Sequence, residues 1–401
     1  MDKNFRLFLF SSACSLLGIE IFQLAIPLTT IALGYSAIET GWCTFAFFLP
    51  VILVKIFAAP IIENSNKKAT LAMSEVGRII CIISFITTLY LLNFQNLFYI
   101  IFISFIFGVF TTFTEITEPT ALKLLIANKN SNSILTKYEI RTRVVQLTAP
   151  SLCGFLITYS IYSPYFTMLL ISFITLFFIS GIKFNNKSQK NKKYNNFFES
   201  IIDAFTWIKN NKLFTIMLLL TSINNLLHPI LYLTIIFSLK SMNIGYDITG
   251  YILSGLGVGG IIGGMIAGPL SLHFNLRNLV LGINILRILV FAGFIFFPTP
   301  IGYFTFFMMK AILGGVWNVC YNIYSINEIP YDYIARVSAL SGILIKVCTA
   351  LGGIMAGYLI NYYSIEFCLY ILLALTVIMF ICTIPFKKVY TSRILVTDPP
   401  K

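Results

Sequence analysis

Long apolar runs separated by short polar breaks recur twelve times along the chain, at 5–33, 39–62, 70–92, 96–117, 136–159, 163–182, 213–238, 247–271, 277–297, 301–325, 337–361 and 365–386. A helical residue rises about 1.5 Å and a bilayer's hydrocarbon core is about 30 Å thick, so about 20 apolar residues make one crossing. Several runs are clean: Leu97–Thr114 and Phe367–Phe386 hold no charge. The pattern predicts an all-α membrane protein of twelve transmembrane helices in two six-helix repeats. The first run, Phe5 to Leu33, is too long for the apolar part of a signal peptide and has no small-residue cleavage site, so it is expected to be retained.

The polar breaks are not alike. Even-numbered connections hold Lys67 and Lys68; Lys123, Lys129, Lys137, Arg141 and Arg143; a lysine series from Lys183 to Lys212; Arg277; and Arg336. Odd-numbered connections offer only Lys240. Lys/Arg bias in short loops orients a membrane protein, and this alternation predicts both termini in the cytoplasm and residence in the cell inner membrane. Composition agrees: 58% of residues are hydrophobic and 11% charged, against about 25% charged in soluble domains. The net charge of +13 is then a topology signal and calls for no nucleic acid. Eight cysteines, none in a C-x-x-C pair, fall in or beside apolar runs and read as small packing hydrophobes.

Lys183–Asn196, rich in Lys and Asn, reads as a cytoplasmic linker. After it, Phe198, Ile201, Ile202, Phe205 and Ile208 keep helical spacing, which predicts an amphipathic helix on the membrane surface. The linker divides the chain into a first bundle (1–182), the linker with its helix (183–212), a second bundle (213–386) and a tail (387–401). The bundles share short words. Gly154-Phe-Leu-Ile-Thr-Tyr159 closes the fifth run and Gly357-Tyr-Leu-Ile-Asn-Tyr362 the eleventh, 203 residues apart; Pro60, Asn66 and Lys68 are matched by Pro269, Asn275 and Arg277, 209 apart. Parallel repeats of this kind predict a substrate site between the halves near the midplane.

On these residues the chain resembles the major facilitator superfamily, and within it the twelve-helix macrolide-efflux and enterobactin-exporter branch, from Phe5 to about Phe386. Glu63-Asn-Ser-Asn-Lys67-Lys68 is similar to the family's loop between helices 2 and 3, with its Arg missing. Glu75 and Arg78 match an acid and an Arg entering helix 3, and Glu20 an acid midway along helix 1. Ala149-Pro150-Ser-Leu-Cys-Gly154 resembles the antiporters' helix 5 motif, with Ala for the leading Gly. Leu272-His273-Phe-Asn-Leu-Arg277 is a degraded second-half loop. Pro330 and Arg336 match the turn before helix 11. The resemblance implies a cavity lined by helices 1, 2, 4, 5, 7, 8, 10 and 11, alternating access, and no cofactor or metal.

A charge mid-membrane costs about 2.5–3.5 kcal/mol on insertion scales and must face protein or water. Glu20 is the candidate proton-coupling group. Burial disfavours a charged carboxylate, so such a group can take and release a proton as water access changes; a fixed ion pair, with Lys55 for instance, is the competing reading. Lys55, Lys310 and Lys346 would give the cavity cationic character, unless each meets an internal acid. Asn224, Asn225 and His228 are further cavity candidates, or interhelical hydrogen-bonding groups. The expected gate comprises Glu63, Lys67, Lys68, Glu75, Arg78, Glu115, Glu118, Arg143, Pro150 and Arg336. Arg287 is expected to be structural or to snorkel. Gly255, Gly259 and Gly263, and Gly260, Gly264 and Gly268, are expected to let helices pack closely.

No H-E-x-x-H, no phosphate loop and only two histidines are present, so an enzyme is not expected. The expectation is a monomeric secondary transporter of a small molecule, exporting with protons an anionic metabolite such as a carboxylate siderophore. Drug efflux, import, and a non-transporting receptor or assembly factor stay open.

Overall fold

The computed structural model describes residues 3–91, 96–126, 131–183, 197–330 and 333–384; side chains at 56–64, among them Glu63, and the tail from 385 onward lie outside the described residues. Among the described residues thirteen α-helices follow one another: α1 (Lys3–Ala32), α2 (Ala37–Asn64), α3 (Lys67–Ile86), α4 (Leu97–Ile126), α5 (Ser131–Tyr159), α6 (Ser163–Gly181), α7 (Phe197–Asn210), α8 (Lys212–Ser241), α9 (Tyr246–His273), α10 (Leu276–Phe296), α11 (Pro300–Glu328), α12 (Ile334–Tyr362) and α13 (Ile365–Thr383). A π-helical turn, Thr87–Leu91, extends α3.

Side chains in the breaks start the helices. Ser36 and Glu39 form a capping box at α2: the Glu39 amide donates to Ser36 Oγ at 3.3 Å, and the Ser36 amide to Glu39 Oε2 at 2.7 Å. Asn66 Oδ1 accepts from the amides of Lys68 and Ala69. Asn211, Thr299 and Ser364 cap α8, α11 and α13 in the same way.

Among the described residues eleven helices are long and apolar enough to cross a membrane, all but α5 and α7. The twelfth of the bundle is α5. Its first half carries Lys137, Glu139, Arg141 and Arg143, and its longest charge-free stretch is Val144–Tyr159. Several helices also run past the predicted spans, α4 from 117 to 126 and α5 back from 136 to 131. Hydropathy marks the part of a helix that needs lipid, while backbone hydrogen bonding carries the helix on into polar sequence.

Helix packing repeats. In α1–α6 the five most extensively packed pairs are α1 with α5 and α6, α2 with α4, and α3 with α4 and α6; in α8–α13 they are α8 with α12 and α13, α9 with α11, and α10 with α11 and α13. Replacing each helix by its counterpart seven positions on turns the first set into the second. The two largest contacts between the sets, α5 with α9 and α2 with α12, exchange under the same rule.

The glycines of the repeated word sit in these two seams. A Cβ on Gly357 would lie 2.6 Å from the Ala37 carbonyl of α2, and one on Gly41 2.7 Å from the Gly353 carbonyl. Gly154 meets Tyr246 and Gly250 of α9 equally closely. These contacts cluster at the end of the bundle away from residues 3 and 384, called here the far end. The expected small-residue stripe of α9 is divided. Gly259 and Gly263 press on α11 and Gly260 on Arg143, whereas Gly264 and Gly268 have no neighbour within 4 Å of a Cβ.

The amphipathic helix α7 splits its apolar stripe. Ala204 and Ile208 are buried, while Ile202 and Phe205 are exposed. The buried edge packs on α8 and α12, and Asp203 pairs with Arg336 of α12 at 3.3 Å.

Candidate transport pathway

Charged side chains divide into three groups. The first lies inside α1–α6. Arg78 of α3 pairs with Glu75 one turn earlier and donates to Ser15 Oγ of α1 at 2.7 Å. Arg141 of α5 pairs with Glu118 of α4 at 3.3 Å and donates to the Ser12 carbonyl at 2.7 Å. Tyr138 donates to the other Glu118 oxygen at 2.8 Å and stacks under the Arg141 guanidinium. Lys68 donates to the carbonyls of Ser180 and Ile182 at the end of α6, where unpaired carbonyls favour a cation. Lys67 is buried beside it. Of the expected gate residues, Lys68, Glu75, Arg78 and Glu118 thus join Arg141 and Tyr138 in contacts that hold α1, α3, α4, α5 and α6 to one another rather than crossing to the second set.

The second group crosses between the sets. Glu115 of α4 pairs with Lys346 of α12 at 3.3 Å and with Lys55 of α2 at 3.8 Å. Glu115 and Glu118 therefore part company. Three residues advance a helix by about 300°, and the remaining ~60° sends Glu118 into its own bundle and Glu115 across the seam. Glu20, half-buried on α1, makes no ion pair among the described residues, so Lys55 is not its partner. Gln146 of α5, Lys346 and Glu115 lie within electrostatic reach of Glu20. Arg143 donates to Gln146 Oε1 at 3.1 Å and to Glu139 at 2.9 Å, and its side chain lies across Gly260 of α9. The Pro150 carbonyl faces Gly250 in the same seam. Gln146 escaped the sequence reading because an uncharged amide in a polar run carries no hydropathy signal.

The third group lies inside α8–α13. Lys310 of α11 is 7% exposed and Arg287 of α10 1% exposed. Among the described residues neither meets a carboxylate. Lys310 Nζ lies 2.8 Å from His228 Nδ1 of α8; Arg287 donates to Asn284 Oδ1 at 2.9 Å, over the ring of Trp317, whose indole N–H donates to Thr221 Oγ1 at 3.0 Å. Of the two expectations for Arg287, a structural role or snorkelling, its contacts match the first: it points into its own bundle. Asn225 donates to the Thr221 carbonyl one turn back, and Asn224 is half-buried. Gln23, Pro27, Thr44 and Phe48 of the first set and His228, Pro229, Tyr232 and Leu233 of the second line a narrow midplane cavity between α1, α2 and α8.

Arg336 departs from the expected gate. Its ion pair is with the linker helix α7, within the second half. At the far end, Lys240 donates to the Ile31 carbonyl near the end of α1 at 3.4 Å.

Two matching sets of six helices, bridged by the Glu115–Lys346 ion pair, define a multi-pass membrane protein of the solute-carrier kind. The sequence profile of the Major Facilitator Superfamily matches residues 8–352, and the chain belongs to that family: it is a transporter and not an enzyme. No curated protein matches it by sequence. Among solved structures it is similar to the nucleoside transporter NupG (TM-score 0.74, 14% identity, covering 96% of this chain and 99% of that one). It is also similar to a bacterial homologue of the iron transporter ferroportin in an inward-facing state (0.75, 11%, 96% and 99%) and to a D-xylose–proton symporter (0.69, 11%, 96% and 96%). At these identities the likeness concerns the fold, and the efflux and enterobactin-exporter branch is not singled out.

Proposed function

We propose that this transporter works by alternating access, exchanging protons for a small anionic metabolite, of which a carboxylate siderophore is the sharpest example, and exporting it across the inner membrane. The observation that carries the reading is Glu20. It is a carboxylate at the seam between the halves with no ion pair among the described residues, near Gln146 and within electrostatic reach of Lys346. A group so placed is free to change protonation when the seam opens, whereas Glu75 and Glu118 are tied to arginines. The far-end contacts of Gly41, Gly154, Gly250 and Gly357 support a state closed on that side, and with the basic-loop rule that side is the periplasm. The two bundles then rock as bodies about the α2–α12 and α5–α9 seams. Export is favoured by Pro150, which puts the antiporter-like motif in one of these seams. The monomer is the working unit.

The test is Glu20→Gln in proteoliposomes. Proton-driven accumulation of a carboxylate substrate is expected to be lost while substrate counterflow, which needs no net proton movement, continues. Normal accumulation under a pH gradient would overturn the coupling role. Reporter fusions after Lys192 and Lys388 are expected to read cytoplasmic, and a periplasmic signal from either would overturn the orientation.

A further inference from the structure

The anionic-substrate reading began from three lysines, and the structure separates them. Lys55 and Lys346 share Glu115, so both have a counter-charge. Lys310 has none, and Arg287 lies within electrostatic reach of it. The acids between 213 and 384 are Asp247, Glu328 and Glu366, each near a helix end, and Asp332, which lies outside the described residues. The middle of the second half therefore holds two buried cations and no carboxylate among the described residues. Uncompensated buried charge is costly, and an anion drawn in from elsewhere offsets that cost. Arg287 points the same way: its Nη2 is buried without a hydrogen-bond partner.

His228 connects these cations to the cavity. A charged Lys310 has only N–H donors, so at 2.8 Å it must donate to Nδ1. Nδ1 then accepts, and the ring proton sits on Nε2. Phe307 lies under the imidazole at 6.2 Å, nearly parallel, and 5.9 Å from the Lys310 ammonium, which fixes the pair's orientation. The ring is part of the cavity wall, along with Gln23 and Tyr232.

We propose that His228, Lys310 and Arg287 form a specific anion site in the second half. His228 Nε2–H is the donor to one carboxylate group of the substrate or to a halide. Lys310 is the positioning residue that sets the His228 tautomer, and Arg287 adds fixed positive charge behind it. The inference rests on the transport reading only in placing the cavity on the substrate route; binding itself needs no transport cycle.

The test is equilibrium binding to the purified full chain, read by the fluorescence of Trp317, which lies 5.6 Å from the Arg287 guanidinium, in a Trp42→Phe, Trp207→Phe background. The probes are citrate and chloride, titrated separately with ionic strength held by a bulky sulfonate. A saturable response to either supports the site, citrate identifying a substrate carboxylate and chloride a resident halide. Lys310→Gln and His228→Phe are expected to weaken the response at least tenfold. His228→Gln, which keeps an N–H near the Nε2 position, is expected to recover part of it, and Lys240→Gln to leave it unchanged. A response unaltered in Lys310→Gln, or no saturable response to either probe, would overturn the site. Loss of the citrate or chloride response in Lys310→Gln with Glu20-dependent, pH-driven transport intact would support the site and show that it is not the coupling site, so the two readings fail separately.

Discussion

The two halves share a packing plan but treat buried charge in opposite ways. In α1–α6, Arg78 and Arg141 each meet an acid, a hydroxyl or carbonyl, and a neighbouring helix. In α8–α13, Lys310 and Arg287 meet only neutral partners. The lesson is that a duplicated fold preserves helix-on-helix geometry while its charges diverge. Packing depends on where small and large side chains lie, and many sequences meet that demand. A buried charge answers only to its few neighbours, so one half can become a braced unit and the other a cationic receptor.

The sharpest way to break this contrast is to remove one charge from each half. Glu118→Ala strands Arg141 in the first half, and losing one partner of a buried pair costs about 3 kcal/mol. A large fall in thermal midpoint is expected. Lys310→Met removes a cation that has no counter-charge, and about 2 kcal/mol of gain is expected in anion-free buffer, since a mid-membrane charge costs that order of energy. Opposite signs in thermal unfolding would uphold the comparison; two losses would show that Lys310 is structurally neutralised.

The seams allow a second, smaller test, because here the halves behave alike. Gly154→Val would drive a branched side chain into the α9 backbone, whereas Gly264→Val meets open space. With spin labels at Tyr159 and Asn243, Gly154→Val is expected to shift the far-end distance distribution to longer values, and Gly264→Val to leave it unchanged. Equal effects would show that the glycine contacts do not hold the far end.

The fold was open to reading from sequence because lipid imposes one rule on every helix: hydropathy marks eleven of the spans, and only α5, charged in its first half, falls short. What hydropathy missed it missed for physical reasons. Helix ends ran on into polar sequence at α4 and α5. The stripe at Gly260, Gly264 and Gly268 looked uniform, yet only Gly260 faces a neighbour closely. Residue type flagged Glu20, His228 and Lys310 as costly to bury. It could not say which acid each lysine would meet, because Glu115 and Glu118 are nearly equivalent until α4 is rotated into place. Gln146, Gln23 and Trp317 gave no signal, since a neutral side chain gains its role only from what folds against it.

The smallest expected effect concerns Arg336, where motif and structure part. The resemblance placed it in a gate, and a gate residue should alter turnover when removed. The structure joins it to Asp203 of α7, with the two side chains 42% and 55% exposed. Exposed pairs of this kind contribute less than about 1 kcal/mol because water and salt screen them. The linker helix has a firmer hold through the burial of Ala204 and Ile208 and through Asn211, whose amide donates to Glu328 at 2.9 Å. Arg336→Ala is therefore expected to lower the thermal midpoint only slightly and to leave turnover in proteoliposomes unchanged. Arg143→Ala differs, because Arg143 holds Gln146 against the seam beside Glu20, and slower proton-driven transport is expected there. If Arg336→Ala slows transport as much as Arg143→Ala does, α7 is part of the moving gate and the division between a braced first half and a receptor second half must extend to the linker.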